Sequence, residues 1–138
     1  MLVLDTDHLT EIERGSAIGA ALAQRLERSG DDVATTIISV EEQLRGWLAE
    51  IGRRRNPHSQ IDVYAKMHRR IEFFAEWQVL PWSELAADRF RDCRRTRLRV
   101  GSMDLKIACI AMGNNAKLLS RNLVDFRKVA GLDVENWL

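Results

Sequence analysis

The chain opens Met1-Leu2-Val3-Leu4-Asp5-Thr6-Asp7-His8, a short apolar run that meets two carboxylates at once. A bounded apolar run of this length reads as a buried strand. Asp5 then stands at the strand's C-terminal edge. In open parallel α/β sheets, ligands bind in the crevice outside that edge. Any other carboxylate that follows a parallel strand is delivered to the same place.

The remaining segments supply such strands. Residues 6–14 read as a short helix or loop. Ser16 is placed to cap a helix over 17–28, with Ile18, Leu22 and Leu26 on one face and Gly30 at its C-terminal end. The β-branched run 33–38 reads as a second strand. Ser39 and Glu42 then have the spacing of a capping box, opening a helix to about Arg53 with Val40, Leu44, Trp47, Leu48 and Ile51 on one stripe. A long helix over 60–77 repeats Ile61, Tyr64, Met67 or His68, Ile71, and Phe74 or Ala75. Residues 78–82 form a short strand ended by Pro81, and Ser83 caps a helix through Phe90 and Cys93. The segment Met103 to Met112 is apolar nearly all round, the mark of a buried helix. Strands follow at 117–120 and 132–137, with a loop or single turn between. Strands separated by helices, without hairpin signals, imply parallel pairing. The expected fold is α/β, a three-layer α/β/α sandwich with a central, mainly parallel sheet of four to five strands, in one domain over 1–138.

Composition narrows the function classes. Apolar residues are 46% and charged residues 30%, as in a globular chain. No apolar run approaches the roughly 20 residues that span a bilayer. No basic region precedes the first strand, so the expectation is no signal peptide, no membrane and a cytoplasmic location. Cys93 and Cys109 lack metal-ligand spacing and read as reduced thiols, with Cys109 in the core. The histidines at 8, 58 and 68 are scattered, against a structural zinc site. Net charge is +1, which argues against a simple basic nucleic-acid binder. Yet 17 of the 21 basic residues are arginines, bunched at 53–55, 69–70 and 94–99. The planar arginine fork suits phosphate.

On a parallel sheet, Asp5, Glu41 or Glu42, and the pair Asn122 and Asp125 face one crevice. Asp104 joins them if the buried helix starts at that edge. Carboxylates gathered without cations repel one another and raise each other's pKa. Oxygen donors without histidine or cysteine select hard ions such as Mg²⁺ or Mn²⁺. Each residue also has a plainer reading: Asp5 and Asp125 as turn residues, Glu42 as half of a capping box, Asp104 as a helix-dipole partner.

Four blocks in this order resemble PIN-domain ribonucleases of the VapC toxin type. They are Leu4-Asp5-Thr6-Asp7, the run Ser39 to Gly46, Met103 to Ala108, and Leu119 to Phe126 followed by Gly131-Leu132 and Val134 to Trp137. The resemblance implies a metal-dependent endoribonuclease using Mg²⁺ or Mn²⁺, an RNA substrate, a cognate antitoxin and a homodimer. It matches Asp5, Glu42 and Asp104 to the family's metal carboxylates, Glu42 because it stands four residues before Gly46. Asp7 takes a supporting place. The departure is at the fourth corner, Ser120-Arg121-Asn122, where the family often carries an aspartate. This leaves Asn122 and Asp125 as alternatives for the fourth corner, and one or two ions open. The resemblance also points to Arg45, Arg121 or the 94–99 arginines as holders of the RNA backbone. Two rival readings remain: a catalytically degenerate PIN fold serving as a binding module, favoured by Asn122, and a haloacid-dehalogenase-like phosphohydrolase, suggested by Asp5-Thr6-Asp7.

Overall fold

The computed structural model describes residues 1–138. Five strands form one sheet: β1 (Leu2–Leu4), β2 (Val33–Thr36), β3 (Gln78–Leu80), β4 (Lys117–Leu119) and β5 (Val134–Glu135). Their order is β3-β2-β1-β4-β5, and every neighbouring pair is parallel. The chain steps outward from β1 to β3 and then returns to the other side of β1. The strand order therefore reverses between β1 and β4, and a crevice opens at their C-terminal ends.

Helices cover both faces: α1 (Thr6–Arg14), α2 (Ala17–Ser29), α3 (Ile37–Arg53), α4 (Ile61–Ala75), α5 (Glu84–Arg95), α6 (Ser102–Gly113) and the single turn α7 (Leu123–Phe126). One apolar cluster gathers Val3, Leu118 and Phe126 around α6. The other packs Leu4, Leu9, Leu22, Leu26 and Phe74 on the opposite face. Leu105, Ile107, Ala108, Cys109, Ile110 and Ala111 of α6 are all buried, as its unbroken apolar run predicts. Burial drives the Cys109 thiol up to about 12, so it packs as a small apolar group. Ser16 caps α2 by accepting from Gly19 N, and Gly30 ends it in the left-handed region. A Cβ on Gly19 would stand 2.0 Å from the Glu11 carbonyl oxygen, so α1 and α2 touch only because position 19 has no side chain.

Several expectations give way. The second strand stops at Thr36, not Ile38, and Thr36 caps α3 by accepting from Ser39 N. Ser39 is thus inside the helix and builds no capping box with Glu42. The α3 stripe is not a core stripe throughout: Leu48 is 61% exposed. Ile18 is also exposed, because the face of α2 that meets α1 is the one carrying Gly19. On α4 the predicted stripe points outward except at Phe74, with Ile61 64% and Ile71 49% exposed. Its buried residues are Val63, Arg70 and Phe74. The last strand covers two residues rather than six.

Candidate metal centre

Asp5 follows β1 and caps α1, its Oδ1 accepting from Thr6 N at 2.8 Å. Its Oδ2 accepts from Ser120 Oγ at 2.7 Å, across the point where the strand order reverses. Asp5 is only 8% exposed. Burial, with the nearby charges of Asp7 and Asp104, pushes its carboxyl up to about 6 despite these hydrogen bonds. Glu42 lies in the second turn of α3. Its Oε2 accepts from Thr6 Oγ1 at 3.0 Å. Burial first, then Asp5 and Asp104, raises its pKa. Asp104 arrives because α6 leads directly into β4 and so runs against it, which puts the helix's N-terminus at the crevice. Burial and the charge of Asp125 raise Asp104 as well.

The other acidic groups are spoken for. Asp7 accepts from His8 N and the His8 ring, each at 2.7 Å, and from Arg121 N at 3.0 Å. Burial alone would raise Asp7, but these hydrogen bonds outweigh it and lower its pKa. His8 is fully buried, and its Nε2 accepts from Trp137 N, so the Asp7–His8 unit ties β5's tail to α1. Asp125 takes Lys128 at 2.6 Å, and this bond, then Asn122, lowers it. Asn122 stands between two carboxylates: its Nδ2 donates to Asp104 Oδ2 at 3.0 Å and to Asp125 Oδ2 at 3.2 Å. Asp125 therefore bonds to the cluster only through Asn122. Glu41 turns away to Arg45, at 2.6 Å.

Asp5, Glu42 and Asp104 thus come to one crevice as raised, mutually repelling carboxylates, and none of them forms an ion pair. This all-oxygen set suits a hard divalent cation. As the side chains stand, no three acidic, histidine or cysteine groups converge tightly enough to enclose an ion. Glu42 and Asp104 are engaged by Thr6 and Asn122 instead. Thr6 was overlooked in the sequence. A hydroxyl directly after the first carboxylate is the signal that could have marked it. Of the arginines expected near the crevice, Arg121 is present through its backbone, while its guanidinium reaches Glu11 at 3.3 Å.

The fold and crevice define a class: a parallel α/β sandwich with an acidic centre where the strand order reverses. Within that class, the PIN-domain family model matches residues 2–132. The chain belongs to the PIN-domain family. It is 25% identical over 95 residues to ribonuclease VapC2 of Rickettsia felis, covering 69% of this chain and 67% of that one. VapBC-1 of nontypeable Haemophilus influenzae superposes with a TM-score of 0.75 at 24% identity, covering 99% of this chain and 97% of that chain. VapBC2 of Rickettsia felis, solved bound to a DNA fragment from its promoter, superposes with a TM-score of 0.71 at 19% identity, over 99% and 98%.

Proposed function

We propose that the protein is a divalent-metal-dependent endoribonuclease that hydrolyses RNA phosphodiester bonds, the toxin of a toxin–antitoxin pair. The observation that carries this is the trio Asp5, Glu42 and Asp104: three carboxylates of raised pKa in one crevice, with no cation among them. Family membership and the likeness to a protein named as a ribonuclease support it.

Asp5, Glu42 and Asp104 would hold Mg²⁺ or Mn²⁺, with Asn122 at the fourth corner and Asp125 behind it. Such an ion, when bound, lowers the pKa of a water to make a nucleophile and offsets charge on the phosphodiester. The chain's own groups prepare that site. Ser120 and Thr6 N aim the two oxygens of Asp5, and Thr6 Oγ1 aims Glu42. Asn122 holds Asp104 and keeps Asp125 apart from it. Burial keeps Asp5 poised to exchange a proton for a metal near neutral pH.

The toxin reading carries two partners, a cognate antitoxin and a second copy of the chain. Apolar surface remains for such partners at Ile37, Leu48 and Trp82, and along Ile61, Tyr64 and Ile71 of α4. No helix is long and apolar enough to cross a membrane; a cytoplasmic site of action belongs to the toxin reading itself. The test is to express wild type and Asp5→Ala in a bacterial host and sequence the RNA ends. New ends and arrested growth are expected for wild type alone. Identical growth and identical ends contradict the proposal.

A second reading, a binding module without catalysis, draws on Asn122 in place of an aspartate. It predicts no new RNA ends from either protein.

A further inference from the structure

Arg70 is the one buried arginine or lysine of the molecule, and it has two unpartnered buried donors where the half-buried Arg89 has one. It sits on the inward face of α4, is 7% exposed, and packs its guanidinium near the Phe73 and Phe74 rings. Only Nη2 has a partner, Glu13 at 2.5 Å. Nε and Nη1 are buried without any hydrogen-bond acceptor. Unpaired buried donors on a charged group are costly, so an anionic acceptor brought to this place would be favoured.

Arg70 lines a pocket of about 400 Å³ where α1, α3 and α4 meet, together with Glu13, Arg14, Trp47, Lys66 and Arg69. Four cations there face one carboxylate, and Arg70 already engages it. Arg69 has no ion pair, while Lys66 and Arg14 have only long ones, at 4.0 Å to Asp62 and 3.8 Å to Glu11. The pocket does not stand alone. A second groove, also about 400 Å³, runs between α3 and α4 with Glu42 among its walls, and it shares Trp47 and Lys66 with the first. Glu42 and Trp47 are five residues apart on α3, roughly 7.5 Å along the axis. A continuous path therefore leads from Glu42, past the Glu50–Arg54 ion pair and over an indole, to the cation pocket.

We propose that this pocket is a phosphate subsite that seats a backbone phosphate of a single-stranded RNA, with Trp47 as the surface on which the neighbouring base stacks. The inference rests on the ribonuclease reading and gives that reading a substrate path. Arginine forks match phosphate oxygens bidentately. An aromatic face takes an unstacked base, which a single strand offers and a duplex does not. Continuity with the groove beside Glu42 favours RNA over an acidic peptide, which needs no route to the carboxylates. Arg70 anchors the phosphate end, Lys66 and Arg69 supply the exposed charge, and Trp47 orients the strand towards Glu42.

The test is fluorescence anisotropy of a labelled single-stranded RNA of about 12 nucleotides, in EDTA, so that binding is read without cleavage. Lys66→Glu and Arg69→Glu are expected to weaken binding about tenfold or more each, and to flatten its salt dependence by about one counterion. Trp47→Ala is expected to cost about fivefold or more, and Trp47→Phe to recover most of that. Arg28→Glu makes the same charge change on α2, at a residue that lines neither groove, and is expected to change affinity less than about threefold. Arg70→Met removes the buried cation but also strands Glu13, so the exposed variants carry the test if it fails to fold. No RNA binding by wild type, equal binding by the Lys66 and Arg69 variants, or an equal loss in Arg28→Glu overturns the proposal. A poly-glutamate peptide is titrated in parallel. If it binds as tightly as RNA and is lost in the same variants, the pocket is a peptide site and the RNA assignment falls. RNA that is bound through this pocket but never cut with Mn²⁺ present would leave the subsite standing and overturn the nuclease reading alone.

Discussion

Two sets of carboxylates share the C-terminal edge of the sheet, and they are built in opposite ways. Asp7 and Asp125 are satisfied within the chain, Asp7 by three hydrogen bonds from His8 and Arg121 N and Asp125 by the Lys128 ammonium and Asn122, and both are lowered. Asp5, Glu42 and Asp104 lie between them with hydroxyl and amide partners but no cation, and all three are raised. The difference separates charge satisfied within the fold from charge left open to a ligand. A paired carboxylate stabilises the fold at neutral pH. An unpaired one destabilises it until something outside the chain supplies the positive charge.

The largest effect expected from breaking this contrast is on catalysis. Asp5→Ala or Asp104→Asn is expected to lower RNA cleavage by about 10³-fold or more, against less than about tenfold for Asp125→Asn, measured as initial rates on one RNA with Mn²⁺. Equal losses across the two sets would erase the distinction. Next comes stability. Asp5 holds its proton more tightly folded than unfolded, so its contribution is complete below about pH 4 and is lost as pH rises through about 6. Ionising it without metal costs about 3 kcal/mol. Asp5→Asn, which cannot ionise, is therefore expected to be more stable than wild type in EDTA at pH 8 by about 2–3 kcal/mol, and to show little gain at pH 4, by urea unfolding. Asp7→Asn moves the other way, because the carboxylate that His8 and Arg121 N were built around is gone: a loss of about 1 kcal/mol is expected at pH 7, with cleavage changed only a few-fold. The smallest effect is at the boundary between the sets. Asn122→Asp adds an unpaired oxygen charge beside Asp104, and is expected to tighten Mn²⁺ binding about threefold to tenfold by calorimetry.

The architecture was readable because strand and helix periods survive in a single chain. The run Met1 to Leu4, the capping Ser16 and Ser83, and the all-apolar α6 each carry a local physical signal that tertiary packing did not override. The site was legible in part for the same reason: residues that follow parallel strands share an edge. Other details were not local. Thr36 rather than Ser39 caps α3 because the strand ends two residues early, and β-branched Ile37 and Ile38 suit either state. The apolar stripe of α4 was real as a pattern, yet of its members only Phe74 is buried, beside Val63 and Arg70 from outside the stripe. A period reports that a face exists, not which neighbour covers it. Nothing in the run Arg69-Arg70 shows that one guanidinium is buried and its neighbour exposed, since that depends on Glu13 arriving from α1. The haloacid-dehalogenase-like alternative loses its footing for a similar reason: Asp7 is committed to His8 and Arg121 N, and the chain belongs to the PIN-domain family.

On the proposed function, Asp5, Glu42 and Asp104 are left unpaired in order to take a divalent cation. The most direct measurement is a calorimetric titration of Mn²⁺ into metal-free wild type and Asp104→Asn at pH 6, repeated in buffers of different ionisation heat. Binding to wild type is expected with release of protons, since Asp5, raised to about 6, is about half protonated there, and binding at least about tenfold weaker is expected in Asp104→Asn. No Mn²⁺ binding to wild type, or the same affinity in both proteins, would contradict the proposed function.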